Sequence, residues 1–301
     1  MPMNRASFAK QLEPGLNTLF GLTYKQYPQQ WKKCFDTESS IKSFEEDVLM
    51  EGFGEAAAKA EGAGITYDTA QEVFTSRYSH VTYALAFAIT EEAEEDGLYG
   101  SIAKKYVKAL ARSMVHSKEI IGANVLNNGF NATYSGGDGV ELFSTAHPTT
   151  FGNQSNTLAT PADLNETSLE QILINISKMK DDRGIPIAAM GTELVIPPDL
   201  VFVADRLLNS TLRVDTSNND LNAINNGGYL PKGAVPIQRL TDPDAWFIKT
   251  DVPDGLKHFV RIALKKGMEG DFETGNVRYK CRERYSFGWT DWRGAFGSAG
   301  A

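Results

Sequence analysis

Cysteine is scarce: Cys34 and Cys281 are the only two in 301 residues. Two thiols are too few for a disulfide framework or a thiolate metal site. No apolar run approaches the roughly 20 residues that cross a bilayer. Nothing at the amino terminus has the charged, apolar and cleavage regions of a signal peptide. The expectation is a soluble protein in a reducing cytoplasm, with no membrane partner. Positive charge is also short, since 30 Lys and Arg against 38 Asp and Glu leave a formal net charge of -8. That balance excludes tight binding of nucleic acid through clustered cations and leaves room only for weak, non-specific contact.

Catalytic vocabulary is missing as well. There is no P-loop, H-E-x-x-H, G-x-S-x-G or C-x-x-C pattern. Gly62-Ala63-Gly64 begins like a dinucleotide fingerprint, but the third glycine and a leading apolar strand are absent. His147, with Asp138, Glu141 and Ser144 nearby, could be cast as a base beside a nucleophile, yet the spacing fixes no triad and a structural role is expected. His116 reads as part of a polar helix face, and His80 and His258 as strand residues. The run from Thr90 to Asp96 reads as a helix cap with acidic first-turn residues rather than a metal cage. The expectation is no enzyme, no cofactor and no metal site.

What is present begins with a long amphipathic stretch, Leu98 to Leu126. Ile102, Tyr106, Leu110 and Met114 recur at four-residue steps beside Ala103, Val107, Ala111 and Val115, with Lys104, Lys105, Lys108, Arg112 and Lys118 opposite. No proline interrupts it, and at 1.5 Å per residue it predicts a strut roughly 40 Å long. Before it, residues 1–44 offer apolar clusters broken by Pro14, Gly15 and Pro28, and read as an arm that lies on a neighbouring surface. Trp31 and Phe35 are its large apolar contacts.

Residues 45–90 read as a long hairpin. Val73, Thr75, Arg77, Ser79, Val81, Tyr83 and Leu85 alternate as one strand, and the middle, AAAKAEGAG, has almost nothing to bury. An isolated hairpin is marginal in water, so this one is expected to find its partner on another molecule. Lys59, Glu61, Tyr67, Phe74 and Arg77 are its candidate contacts, together with Trp31 and Phe35 of the arm. Downstream, a short strand is expected around Val140 to Ser144. A helix follows with a Thr167/Glu170 capping box and an apolar face of Leu169, Ile172, Leu173, Ile176 and Met179. Thr192 to Ile196 reads as a buried strand, Asp199 to Leu208 as a helix and Thr216 to Gly228 as an Asn-rich loop. Residues 161–253 thus form an α/β lobe. From Lys257 onward, two strand-like runs return the chain to a sheet.

The segments YGSIAKKYVKALARSMVHSKEIIGANVLNNGF, DGVELFSTAHP, ELVIPPDLVFVADRLLNSTL, TDPDAWFI and YSFGWTDWRGAFGS, in that order, resemble the major capsid (major head) protein of tailed bacteriophages, particularly the Mu-like head subunit group. The resemblance implies an α+β Hong Kong 97-like fold. Its parts would be an N-terminal arm (1–44), an extended β-hairpin loop (45–90), a peripheral domain on a spine helix (91–160 and 254–301) and an axial domain (161–253). It implies a structural subunit that self-assembles, as hexamers and pentamers, into an icosahedral head around double-stranded DNA, and a place in the virion after synthesis in the host bacterial cytoplasm. Its partners would be other copies of itself, a portal and, as an open alternative, a decoration protein. About forty residues before the hairpin leave no room for a fused scaffolding segment, so a separate scaffolding protein is expected. Two rivals stand beside this reading: an encapsulin-like compartment, and a soluble hydrolase using His147. Some members of the family cross-link their shells through an extended-loop lysine. Lys59 is the only lysine from Ser43 to Ala103, and its alanine and glycine surroundings predict a non-covalent shell.

Overall fold

In the computed structural model, residues 6–90, 99–213, 220–271 and 275–301 are described. The arm folds back on its own chain. It forms helix α1 (Ala6–Gln26), a single turn α2 (Trp31–Cys34) and strand β1 (Asp36–Ser39). Leu16 and Phe20, one helical turn apart, put their side chains into a cluster with Val107, Leu110, Ala111 and Met114 of the strut and with Tyr279 and Cys281. Burying groups of this size stabilises by roughly 1.5–3 kcal/mol each.

The hairpin is shorter than the sequence suggests. Strands β2 (Phe44–Met50) and β3 (Glu72–Ser79) pair antiparallel, but the alternation from Val73 to Leu85 is two strands rather than one. His80 breaks it, its ring nitrogens 2.9 Å from Ser40 Oγ and 3.0 Å from Ser286 Oγ. Beyond it, β4 (Val81–Ile89) belongs to a different sheet. The spine is helix α3 (Tyr99–Asn127), as the periodicity predicts, with its polar side redrawn. Tyr106 is exposed, whereas Lys118 and Glu119 are buried under the arm. Gly122 permits that cover, because a Cβ there would lie 3.1 Å from Cβ of Trp31. The acidic run after Thr90 lies outside the described residues.

Helix α4 (Glu166–Ser177) is capped two residues before the expected box: Asn165 accepts from the Ser168 N–H and Ser168 Oγ accepts from the Asn165 N–H. Strand β5 (Gly191–Ile196), helix α5 (Val201–Asn209), helix α6 (Ala223–Gly227) and strands β6 (Ala234–Pro236) and β7 (Trp246–Thr250) complete the lobe. Part of the Asn-rich stretch is therefore helical, because the Asn222 side chain accepts from the Ile224 and Asn225 N–H groups; positions 216–219 lie outside the described residues. No strand forms over Val140–Ser144, where Glu141 makes only an isolated bridge to Ser135 and Leu142 and Phe143 are buried.

Strands β8 (Leu256–Gly270) and β9 (Val277–Trp289) are long, and β10 (Ala295–Ser298) ends the chain's regular structure. One sheet has the order β1-β8-β9-β4 and lies on α3; the other is β10-β7-β5-β6. The C-terminal strand β10 thus joins the sheet of the 161–253 lobe rather than the sheet that lies on α3. Period-two alternation explains how that sheet serves two cores. Leu194, Ile196, Trp246, Ile248 and Phe296 face α4 and α5, while Val195, Phe247 and Ala295 face the carboxyl end of α3 and the arm. Gly255 and Gly294 make the crossing between the sheets possible, since a Cβ on Gly294 would lie 2.3 Å from the Gly255 Cα.

Candidate assembly surfaces

Residues 51–71, between β2 and β3, contain no helix or strand. Phe53, Ile65 and Tyr67 are 65%, 73% and 92% exposed on this segment, and Lys59 and Glu61 are exposed beside them. Three large apolar groups this exposed on one short segment are presented without a recipient in the same chain. Phe74 is half-buried at the loop's base, and Arg77 is exposed, its guanidinium 4.0 Å from the Phe44 ring centre and 4.0 Å from Glu46.

The loop root is clasped by one residue of the axial lobe. Arg183 lies 3.5 Å from the buried Glu51 carboxylate and 2.6 Å from Asp68, and it also donates to the Thr69 carbonyl. Asp68 further accepts from the Gly54 and Thr69 N–H groups. Arg183, with these amides, holds the Asp68 carboxyl down to about 2. Thr150 donates to Glu51 at 2.8 Å. A second node fixes the hairpin to the peripheral sheet: the buried Lys257 ammonium sits 3.3 Å from Glu38, 2.5 Å from Asp47 and 2.6 Å from Asp254. Burial alone would favour the neutral amine, but hydrogen bonds to Asp254 and Asp47 outweigh it and raise the pKa. Sequence reasoning missed both nodes. Their members are far apart in the chain, and the shared negative charge of Glu51 with Asp68 and of Glu38 with Asp47 and Asp254 was the one signal that could have hinted at common cations.

The arm candidates are corrected by the structure. Trp31 and Phe35 are 4% and 3% exposed, and both rings pack edge-on against Phe287, at 5.4 and 5.0 Å. They complete the subunit's own core. Glu119 accepts from the Gln30 and Trp31 N–H groups at 2.8 and 3.2 Å and so caps α2; burial raises its pKa. Lys118 pairs with Glu283 at 3.1 Å below Tyr24, which donates to the other Glu283 oxygen at 3.2 Å. Burial lowers the Lys118 pKa, against the opposing pull of Glu283. His258, under Trp31 at 4.3 Å, is pushed down to about 3 by burial and by the positive charges of Lys118 and Lys32.

His147 is not placed for catalysis. Its ring is 0% exposed, stacks on Trp292 at 4.4 Å, and has Nδ1 2.7 Å from Asp138 and Nε2 3.1 Å from Asn156 Oδ1. Ser144 donates its N–H to the same Asn156 oxygen, so Asn156 lies between the supposed base and nucleophile. Asn156 in turn donates to the Leu142, Trp292 and Ala295 carbonyls. The cluster joins the long loop to the C-terminal turn. Both thiols are buried, and burial pushes Cys34 up to about 12 and Cys281 to about 11. Among the described residues no helix is long and apolar enough to cross a membrane, and no group of three His, Cys, Asp or Glu side chains is arranged to hold a metal.

Comparison with known proteins places this architecture. The sequence profile of a family described as phage capsid protein matches residues 72–297, well over half of the chain. Among solved structures, the virus-like particle from Pyrococcus furiosus is similar over 94% of this chain and 97% of that one, with a TM-score of 0.55 at 12% identity. The capsid of Myoviridae phage XM1 matches with a TM-score of 0.51 at 9% identity, covering 89% of each chain. The holo-SrpI encapsulin from Synechococcus elongatus PCC 7942 matches with 0.53 at 8% identity, covering 91% and 88%. At these identities the structural likenesses speak for the fold alone, which is the Hong Kong 97-like capsid fold. No curated protein sequence matches.

Proposed function

Because the chain belongs to the phage capsid protein family and is a structural major capsid protein, we propose that its copies close into hexamers and pentamers of an icosahedral head around double-stranded DNA. The observation that carries this reading is the extended loop. It is firmly rooted by Arg183 and Lys257, yet its apolar groups Phe53, Ile65 and Tyr67 meet water. A rooted, unfinished loop is what a subunit needs if a neighbour completes it. The acidic balance of the chain fits a container that does not grip its contents, since tight phosphate neutralisation would resist packaging and release. A separate scaffolding protein, a portal and synthesis in the bacterial cytoplasm belong to the same reading.

A second reading is favoured by the likeness to the encapsulin: a compartment that holds a cargo protein. Expression followed by negative-stain imaging and analysis of the contents separates the two. Capsomer rings or hollow shells without a stoichiometric cargo protein are expected; a protein that stays monomeric at all concentrations contradicts the shell reading. A cargo co-purifying in fixed ratio favours the compartment. Efficient assembly of uniformly sized shells from the chain alone would argue against a separate scaffold.

A further inference from the structure

The spine helix holds positive charge out of proportion to the rest of the chain. α3 has five of the 30 Lys and Arg residues and, in Glu119, one of the 38 Asp and Glu, which leaves 25 cations against 37 anions everywhere else. Lys118 and Glu119 are buried under the arm. The other four cations, Lys104, Lys105, Lys108 and Arg112, are exposed and fall within an arc of roughly 100° around the helix. None of the four has an ion-pair partner among the described residues. Like charges four residues apart weigh against a helix, so the row carries a cost that an anion from outside relieves.

The row ends where the arm crosses the helix. There Arg112 and His116 line a cleft of about 360 Å³ together with Gln30 of the arm and Gln238 and Arg239 of the 161–253 lobe. Arg239 Nε donates to His116 Nδ1 at 3.1 Å, which leaves the imidazole proton on Nε2 as a further donor. Glu119 is the only carboxylate among the described residues that line the cleft, and both its oxygens already accept, from the Gln30 and Trp31 N–H groups. Cations and donors thus continue from the open helix face into the cleft without an acidic group free to answer them.

We infer that the row Lys104, Lys105, Lys108 and Arg112 on α3, with Arg239 and His116 in the cleft at its end, binds the phosphodiester backbone of double-stranded nucleic acid. The choice of partner rests on the reading of a head around double-stranded DNA, and the inference names the residues that meet it. Four-residue steps set Lys104, Lys108 and Arg112 about 6 Å apart along the helix axis. The roughly 12 Å they span faces about seven charges of a duplex, which presents one per ~1.7 Å. The same face suits a protein partner poorly. Its one large apolar group is Tyr106, which stands at the margin and packs on Phe87 at 5.6 Å, so no anchor for a buried apolar contact is offered. Five cations on an otherwise acidic subunit make a contact that holds at low salt and lets go at high salt.

Salt dependence tests this. Fluorescence anisotropy of a labelled duplex with the full-length, unassembled subunit is followed from about 50 to 200 mM KCl, and five phosphate contacts predict a slope of log K against log[salt] of about −4 to −5, a several-hundredfold loss across that range. Lys104→Gln/Lys108→Gln/Arg112→Gln changes only exposed side chains; it is expected to keep the wild-type unfolding midpoint, to reduce the slope by about 3 and to weaken binding at the lowest salt by about tenfold or more. Arg239→Gln is expected to reduce the slope by about 1. Lys280→Gln/Arg282→Gln, which removes exposed cations from β9, is expected to leave it unchanged. The inference is overturned if the wild-type subunit does not bind the duplex at the lowest salt, if the triple variant keeps the wild-type slope, or if the β9 variant loses as much as the triple variant. Competition by poly-L-glutamate equal, per charge, to that by unlabelled duplex would assign the face to an acidic protein segment instead. A rise in unfolding midpoint with inorganic phosphate that needs Arg112 and Arg239, without duplex binding, would assign the cleft to a free phosphate ion. A subunit that binds the duplex as expected but never assembles overturns the shell reading and leaves this face assigned; shells from a wild-type subunit that does not bind the duplex overturn this inference alone.

Discussion

The arm and the extended loop look alike in sequence and behave oppositely in the fold. Both are glycine-bearing segments before the spine helix, and both are expected to lie on another molecule. The arm instead turns inward: Leu16, Phe20, Trp31 and Phe35 are all buried against the subunit's own helix and sheets. The loop does not, and Phe53, Ile65 and Tyr67 stay in water. The difference is one of spacing and density. Leu16 and Phe20 lie one helical turn apart and form a face that α3 can match, whereas the loop's apolar groups are separated by runs of alanine and glycine that no helix or strand collects. A segment's apolar content thus says that it needs a partner; its periodicity says whether the partner is within reach of the same chain.

If the arm is part of the subunit's core, breaking its buried anchor is costly. Lys118→Met leaves the Glu283 carboxylate buried with only Tyr24 as a partner, and the expected loss is about 3–5 kcal/mol. Urea unfolding measures it, and adding Glu283→Gln should recover much of the loss; a change below 1 kcal/mol would mean the arm cluster is soft. The same region supplies a pH dependence. His258 is lowered from 6.5 to about 3 in the folded state, so below pH 6.5 the unfolded chain takes up a proton that the folded chain refuses. Stability from this group is therefore present at neutral pH and falls as pH drops, by about 2 kcal/mol between pH 7 and 5. His258→Phe should flatten the profile by that amount, and an unchanged slope would remove His258 from the account.

On the loop side the expected effects are local. Asp68→Asn removes the carboxylate that holds Gly54 and Thr69 to Arg183. Amide exchange at Gly54 and Thr69 should speed up while the global unfolding midpoint stays where it is in wild type. Because the folded Asp68 pKa is depressed, to about 2, the wild-type clasp holds above pH 4 and opens as pH falls from about 4 towards 2. A global destabilisation by Asp68→Asn would show that the loop root belongs to the core. Smallest of all, Lys59→Ala should leave particles unchanged. Wild-type particles boiled in detergent should already run as a single subunit band, and a ladder abolished by Lys59→Ala would reveal a covalent shell.

The spine helix, the axial strand over Thr192 to Ile196 and the return of the chain to a sheet after Lys257 were legible because hydrophobic periodicity is local information. What escaped was long-range. Lys118 and Glu119 read as surface residues because charge predicts exposure; only the fold-back of the arm reveals that they meet Glu283 and the α2 amides. The alternation across His80 looks like one strand because each half obeys the same period, and only pairing separates β3, on β2, from β4, on β9. Arg183 sits in a plain turn, more than a hundred residues from the loop it clasps. Of the candidate contacts, Tyr67, Lys59 and Glu61 are exposed, as their composition suggested, whereas aromatic size alone drew attention to Trp31 and Phe35, which are buried in the subunit's own core.

The central claim, that the loop is built for another copy while the arm is built for its own, meets its most direct test in removing the loop tip, Ala56 to Gly64. The account predicts a soluble, cooperatively folding subunit whose unfolding midpoint matches wild type and which forms no shells. A subunit that unfolds at clearly lower temperature, or one that still builds shells, would contradict it.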